Sequence, residues 1–180
     1  EYDAAAQKSK LSSSRYDAAT GNVLEETSWG EVNADRTDIG TDKKITQYTY
    51  AANAGVPTSY ISEATSTDNA NNIFARQRFY YDNQALGVVT RGDETRRESW
   101  LNTENRFIAV QKTYDAFGLL TSTTDSLGNT SQLAYGNDHL YPTSITNALG
   151  HVESFLYDTA IGKVIRKTDV NNNQWQTVYD

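Results

Sequence analysis

The last third of the chain alternates short β-favouring segments with polar turns. The turn Tyr114–Gly118 is followed by the predicted strand Leu119–Thr124. The next turn, Asp125–Gly128, is followed by the predicted strand Asn129–Tyr135. Tyr and Thr suit a pleated, half-buried surface, whereas Asp in the first place and Gly in the fourth are typical of a type I turn. At about 3.3 Å per residue, such a strand spans roughly 20 Å. The pattern therefore predicts a band of short β-hairpins.

This pattern repeats with a period of 22 residues, as a comparison of equivalent positions indicates. The repeat tyrosines of this region are Tyr135, Tyr157 and Tyr179, and the first turn residues are Asp125, Asn147 and Asp169. Gly128 and Gly150 keep the same step, and Asn172 takes the third place. Because Asn is the non-glycine residue that best tolerates a positive φ, the turn chemistry is retained. We predict positive φ angles at Gly128 and Gly150, and hairpins with turns at Asp125–Gly128, Asn147–Gly150 and Asp169–Asn172.

The repeat is looser upstream. The segment Tyr16–Leu24 has the spacing of Tyr157–Ile165, and Tyr81 lies 33 residues before Tyr114. Intervals near this length indicate longer loops, which we place at Asp68–Asn72 and Gly92–Arg97. We therefore predict divergent repeats with longer loops over residues 1–110 and regular repeats of about 22 residues over 111–180. Together they form one continuous repeat domain.

The predicted fold class is all-β, with consecutive antiparallel hairpins forming a curved, coiling sheet. A right-handed parallel β-helix with coils of about 22 residues is the rival fold, but Asp-x-x-Gly turns between short strands favour hairpins. Sustained helical periodicity is absent from the sequence. The segment Tyr2–Lys10 is compatible with a turn or two of helix and equally with a degenerate Tyr-Asp unit.

Composition supports a thin sheet with one solvated face. The chain has 12 Tyr and 3 Trp but no Cys, its hydrophobic fraction is 37%, and its mean hydropathy is -0.68. The aromatic residues are too frequent for a disordered chain. A net charge of -7 argues against a phosphate-binding surface, so we expect no nucleic-acid partner.

The sequence contains no apolar run long enough for a membrane-spanning helix, and no signal peptide opens it. It starts at Glu1-Tyr2-Asp3 and stops at Val178-Tyr179-Asp180, in mid-pattern at both points. We therefore expect a piece of a longer protein whose targeting segment lies elsewhere.

Candidate metal ligands are few. His139 and His151 lie twelve residues apart, and a zinc site needs three or four convergent ligands, so we predict structural roles for both. The run Asp169–Asn173 has alternating oxygen ligands like a calcium loop, but it lacks the Gly and the closing Glu of such a loop. The repeat explains it as a turn, and we predict no metal or other cofactor.

Candidate catalytic and basic residues also have simpler interpretations. The carboxylate pairs Glu25-Glu26 and Asp93-Glu94 consist of strand neighbours whose side chains point to opposite faces. The basic residues Arg91, Arg96 and Arg97 are interrupted by acidic ones. We expect solvated charges at these positions, and we assign no catalytic, cofactor-binding or metal residue.

The recurring tyrosines form the main structural motif, and they are Tyr16, Tyr81, Tyr114, Tyr157 and Tyr179. A Tyr at a strand end packs its ring along the neighbouring hairpin and keeps its hydroxyl hydrogen-bonded. The Asp that follows accepts backbone N–H groups in the turn. An exposed aromatic row is the alternative, and it would bind sugar rings.

At these residues the chain resembles the YD-repeat, or Rhs-repeat, family. The run Tyr114-Asp115, Gly118, Thr124-Asp125, Gly128-Asn129 and Tyr135 matches the family pattern almost position for position, and the stretch Leu140–His151 is similar to it as well. The good match covers about the last seventy residues. The self-cleaving C-terminal core of complete family members has no counterpart in this sequence, so no cleavage activity is expected.

The resemblance implies a non-catalytic scaffold segment of a secreted or cell-surface bacterial toxin-type protein. In such proteins, which include B components of insecticidal toxin complexes, coiled hairpins build a hollow shell around a toxic domain. The implied partners are flanking repeats and a toxin cargo of the same parent protein. We also expect weak self-association through exposed strand edges, because unpaired N–H and C=O groups template further pairing. The alternative function is a carbohydrate-binding or adhesive cell-surface module.

Overall fold

The computed structural model describes residues 2–3 and 8–179. The chain forms two compact units, Glu1–Ala109 and Val110–Asp180. In each unit the strand order follows the chain order. The predicted all-β class of consecutive antiparallel hairpins is confirmed, and the parallel β-helix is not adopted. Whether the whole chain is one continuous repeat domain stays a prediction.

Long strands build the first unit. They are β1 Tyr2–Asp3, β2 Lys8–Tyr16, β3 Val23–Val32, β4 Lys44–Asn53, β5 Val56–Thr67, β6 Ile73–Tyr81 and β7 Glu94–Leu101. A two-residue turn, Ala54-Gly55, joins β4 to β5, and φ is positive at both residues, as a type I′ hairpin requires. Strand β8, Arg106–Tyr114, begins in this unit.

Shorter strands build the second unit after the end of β8. They are β9 Leu120–Thr124, β10 Thr130–Tyr135, β11 Pro142–Thr146, β12 Val152–Asp158, β13 Lys163–Thr168 and β14 Gln174–Gln176. All of their pairings are antiparallel. The turns at Asp125–Gly128, Asn147–Gly150 and Asp169–Asn172 separate paired strands, which confirms the predicted hairpins of this region.

The predicted loop insertion Gly92–Arg97 is misplaced. Residues 94–97 belong to β7, and the long loop that precedes it covers residues 82–93. The suggested helix at the start of the chain also fails where it is described, because Tyr2–Asp3 and Lys8–Tyr16 are strands that pair with each other. Residues 4–7 of that suggestion lie outside the described residues.

The hydrophobic core is very small. Its buried members among the described residues are Val32, Ala51, Tyr81 and Val89, all in the first unit. Phe79 packs against the cluster of Ala51, Tyr81 and Val89. Between residues 110 and 179 of the second unit, every described residue is intermediate or exposed. That unit is therefore a single β-layer, whereas domains normally bury a face between two layers.

Candidate functional site

The repeat tyrosines share one backbone feature, a β-bulge. The strand register shifts by one residue directly before each of Tyr16, Tyr50, Tyr81, Tyr114, Tyr135 and Tyr157. The extra residue always lies on the following strand, and these residues are Leu24, Ser62, Thr95, Thr121, Thr143 and Ile165. A bulge bends its strand and increases the local twist. The repeat therefore places one bend at each of these tyrosines.

Hydroxyl groups satisfy the polar atoms at several bulges. The Thr95 hydroxyl donates to the Tyr80 carbonyl at 3.4 Å, and the Thr143 hydroxyl donates to the Ala134 carbonyl at 3.2 Å. Both acceptors stand directly before a repeat tyrosine. Ser62 is buried, and its hydroxyl shares a 2.9 Å hydrogen bond with that of Thr49. A buried hydroxyl without such a partner would be destabilising, which explains why small hydroxyl residues recur here.

Tyrosine hydroxyls connect successive bulges. Four of them donate to a main-chain carbonyl at 2.7–3.0 Å, in the pairs Tyr50 to Val23, Tyr81 to Ile61, Tyr135 to Leu120 and Tyr179 to Val164. Each acceptor is the residue whose Cα is paired with the preceding repeat tyrosine; Val23, for example, is paired with Tyr16, and Leu120 with Tyr114. The hydroxyl therefore ties one bulge to the next, and the predicted role of the strand-end tyrosines is confirmed at Tyr81 and Tyr179.

The hydroxyls of Tyr50 and Tyr81 remain neutral donors at physiological pH, because the pKa of each is raised. Burial raises the pKa of Tyr81, and the nearby Glu94 carboxylate raises it further. Burial also raises the pKa of Tyr50 and of Tyr157. The Tyr157 ring stacks on Tyr141 with centroids 4.7 Å apart. These rings therefore contribute packing as well as hydrogen bonds.

A second geometry that recurs within the chain is a five-residue turn whose first residue is Asp or Asn. Its members are Asp68–Asn72, Asp115–Leu119, Asp125–Asn129, Asn147–His151 and Asp169–Asn173. In each, the first side chain accepts N–H groups from the third and fifth residues at 2.8–3.0 Å. The first N–H donates to the fifth carbonyl, and the fourth N–H donates to the first carbonyl. This pattern closes a hairpin with three central residues.

The fourth residue of this turn always has a positive φ. Gly128 and Gly150 have φ angles of 88° and 79°, which confirms the prediction, and Asn172 has 64°. Asn71 has 63° in the turn Asp68–Asn72. The segment predicted as a loop insertion is therefore a regular repeat turn in which Asn replaces Gly. The similarity of Asn71-Asn72 to Asn172-Asn173 was the sequence signal for it.

The true insertion, residues 82–93, is organised by one carboxylate. Asp82 accepts the backbone N–H groups of Thr90, Arg91, Gly92 and Asp93 at 2.7–3.2 Å. Partial burial raises the pKa of this carboxyl, but the four hydrogen bonds outweigh it and hold the value at about 2. The sequence predicted that the Asp after Tyr81 accepts backbone N–H groups, but it did not indicate that the donors lie eight to eleven residues further along the chain.

The candidate metal ligands remain separate. His139 packs against Phe117, with ring centroids 4.0 Å apart, and lies 3.9 Å from the Asp115 carboxylate. His151 is the last residue of the turn Asn147–His151, and its backbone N–H donates to the Asn147 side chain. Within the described residues, no group of three or more His, Cys, Asp or Glu side chains could hold a metal ion.

The candidate carboxylates contact separate partners, although Asp93 lies in the loop before β7 and is not the strand residue that we predicted. Glu25 contacts Arg15 and Gln47, whereas Glu26 accepts the hydroxyl of Tyr48. Burial raises the pKa of Tyr48 to about 12, and the hydrogen bond to Glu26 contributes to the increase. Asp93 pairs with Arg91 and Glu94 with Arg97, so neither pair converges on a shared cavity.

The predicted basic cluster is distributed over separate contacts. Arg91 and Arg97 are held in ion pairs, and the Arg96 guanidinium lies 3.7 Å from the centroid of the Tyr80 ring. Arg96 also approaches Glu98 at 3.6 Å. Guanidinium groups that are paired within the chain are poorly placed to bind phosphates.

Comparison with known proteins identifies the repeat. Residues 114–152 match the family model RHS Repeat. No curated protein sequence matches the chain.

The fold is similar to that of a solved structure. The chain is similar to the crystal structure of TcdB2-TccC3-Cdc42, at 18% identity and a TM-score of 0.59, over 90% of this chain and 8% of that one. It also aligns with TcdB2-TccC3-TEV at 14% identity and a TM-score of 0.32, over 91% of this chain and 11% of that one. This chain therefore spans a small fraction of the proteins it is compared with. At these identities the similarity concerns the fold alone.

Proposed function

We propose that the chain is a non-catalytic wall segment of a secreted or cell-surface bacterial toxin-type protein. The wall encloses or presents a toxin cargo of the same parent protein, and flanking repeats continue it on both sides. The observation that carries this proposal is the single-layer sheet of residues 110–179, in which no described side chain is buried. Such a layer gains its stability from neighbouring repeats and from whatever contacts its faces.

The comparisons support the same proposal. The RHS Repeat match lies in this single-layer region. The similar fold of TcdB2-TccC3-Cdc42 belongs to a chain more than ten times longer than this one. A repeat that fixes one bend per tyrosine is suited to building an extended wall.

We propose a non-catalytic role because the candidate catalytic carboxylates are engaged in other contacts. The carboxylates of Glu25, Glu26, Asp93 and Glu94 are engaged with cations or hydroxyls of the chain itself. Nucleic acid is an unsuitable partner for a chain of net charge -7. In the described residues, no helix is long and apolar enough to span a membrane.

Protease protection of the cargo tests the proposal in the full-length parent protein. Deleting the 22-residue repeat 125–146 removes strands β10 and β11 together with the turn that precedes each of them, which should open or misassemble the wall. We expect the cargo to become sensitive to protease while the rest of the protein is still made. The control variant is Leu127→Ser at an exposed turn, where the side chain is 85% accessible, and it should keep full protection. A cargo that stays protected after removal of all 180 residues would contradict the wall function.

A further inference from the structure

The hairpin turns of the second unit form two rows. Because the strand order follows the chain order, successive turns alternate between the two ends of the strands. The turns between β8 and β9, β10 and β11, and β12 and β13 lie at one end, which we call the first border. The turns between β9 and β10, β11 and β12, and β13 and β14 lie at the other end, the second border. Neighbouring turns on one border are two strands, or about 9.6 Å, apart.

Every turn of the second border carries an exposed apolar side chain. Leu127 is 85% accessible and Leu149 80%, and both take the third place of their turns. Val170 is the exposed apolar residue of the third turn. A single exposed leucine is normal on a protein surface, but turns are usually built from Gly, Pro, Asn, Asp and Ser. One apolar group per turn therefore forms a regular row, which we call the second border row.

The first border carries a matching row. Its members are Phe117, Leu140 and Ile161, one from each turn and each more than half exposed. We call them the first border row. Because both rows come from one repeat, they have the same spacing of two strands, and they are offset from each other by one strand. The first border row of one ribbon therefore matches the spacing of the second border row of another.

The position of the second border row limits what can cover it. Hairpin turns project beyond the ends of their strands, so a partner of this row lies beside the sheet and not on one of its faces. A separate copy of the chain is a poor partner, because three side chains bury far less than the roughly 1,000 Å² that a stable association between proteins needs. Another stretch of the same polypeptide is a better one, because it is held nearby at a high effective concentration.

We propose that the second border row is covered by the first border row of another stretch of the same repeats in the parent protein. The proposal rests on the wall function, and it names the contact that joins one run of wall to the next. Contacts between two different borders do not close on themselves and so extend along the whole repeat region. Leu127→Ser removes one contact of such a row, so the wall is still expected to stay closed in that variant.

Photo-cross-linking in the full-length parent protein tests the proposal. Leu149 is replaced by p-benzoylphenylalanine, and the cross-linked peptides are identified by mass spectrometry. We expect an intramolecular cross-link to a first-border turn of another repeat. Leu127→Asp together with Val170→Asp should lower the cross-linked fraction by about tenfold, because two carboxylates would then be buried without partners. Both positions are exposed within the second unit, so circular dichroism of the 180-residue chain should show an unchanged β-sheet content.

The matched control places the same probe at Gln132, which is exposed on a face of β10, and no cross-link to a turn is expected there. The proposal would be overturned by a Leu149 probe that forms no cross-link, or by one that links to the cargo or to a second molecule. Cargo protection is read separately, and a protected cargo without the Leu149 cross-link would contradict the contact between borders alone. A cross-link with an unprotected cargo would support this contact and contradict enclosure.

Discussion

Individual turn residues in this chain are selected by backbone conformation more than by contacts. A Cβ atom added at Gly128 or Gly150 would meet nothing within 4 Å, yet both residues have φ near 80–90°. The requirement at these positions is therefore the left-handed conformation itself. Asn71 and Asn172 meet the same requirement with a side chain present, which gives a graded test within one protein.

Substitutions at these glycines should separate backbone strain from steric conflict. Gly128→Val should lower the free energy of unfolding by about 1–2 kcal/mol, because a β-branched residue is strained at positive φ. Gly150→Asn should cost much less, because Asn occupies the equivalent place in two other turns. Urea unfolding of both variants provides the measurement. Equal losses for Val and Asn would contradict the assigned role of the turn.

At the scale of elements, the predictable parts of the fold were those set by local chemistry. The turn at Asp125–Gly128 could be predicted because Asp and Gly meet its requirements within a few residues. The bulges before the repeat tyrosines could not, since a register shift depends on how two strands pair and leaves no local sequence signal. The start of the loop at Asp82 was missed for the same reason.

The loop of residues 82–93 also stabilises the small core. Val89 is buried, its N–H donates to the Ala52 carbonyl, and the Ala52 N–H donates to Gly87. These two hydrogen bonds hold the loop against the end of β4, where Ala52 and Val88 form an isolated parallel bridge. The carboxylate of Asp82 holds the loop in place, so the ionisation of one residue supports the packing of a whole element.

Acid should release this loop. The pKa of Asp82 is lowered from 3.8 to about 2 in the folded chain, so its contribution to stability is complete above pH 4 and is lost as the pH falls through 2. Asp82→Asn should therefore lower the melting temperature at pH 7, and its difference from the unmodified chain should shrink between pH 4 and pH 2. Thermal unfolding across this range is the measurement.

Glu104→Gln is the control for this experiment, because Glu104 is an exposed carboxylate in a short turn and pairs with Arg106. Exposed pairs of this kind contribute little to stability. The control should change the melting temperature only slightly at any pH. A constant difference between Asp82→Asn and the unmodified chain from pH 7 to pH 2 would show that the carboxylate charge is not what holds the loop.

For the chain as a whole, the small number of buried side chains limits the stability that a hydrophobic core can provide. Where the structure describes the chain, the four buried hydrophobic residues all lie in the first unit, and the second unit relies on strand pairing, turn hydrogen bonds and tyrosine contacts. Its strand β14 is short and exposed, with Trp175 53% accessible, and Val178, two residues beyond the strand, is 91% accessible. The hydrophobic fraction of 37% predicted such a thin sheet, but no sequence pattern indicated which unit would lack a core.

Strand β14 should therefore mediate weak, concentration-dependent dimers of the 180-residue chain. The Thr177 N–H donates inward to Ile165 at 3.0 Å, so the alternation of an antiparallel strand directs the Gln176 N–H outward. Exposed outward N–H groups template pairing with a second copy. Gln176→Pro removes this donor without removing an inward hydrogen bond, and proline is tolerated where the N–H would face solvent.

Sedimentation and small-angle scattering over a concentration series measure this association. We expect the unmodified chain and the control Gln176→Ala to form dimers at high concentration, because both retain the outward N–H. Gln176→Pro should stay monomeric with unchanged β-sheet content by circular dichroism. The net charge of -7 should prevent larger aggregates by mutual repulsion. A monomer at every concentration, or dimers that persist in Gln176→Pro, would exclude β14 as the associating edge.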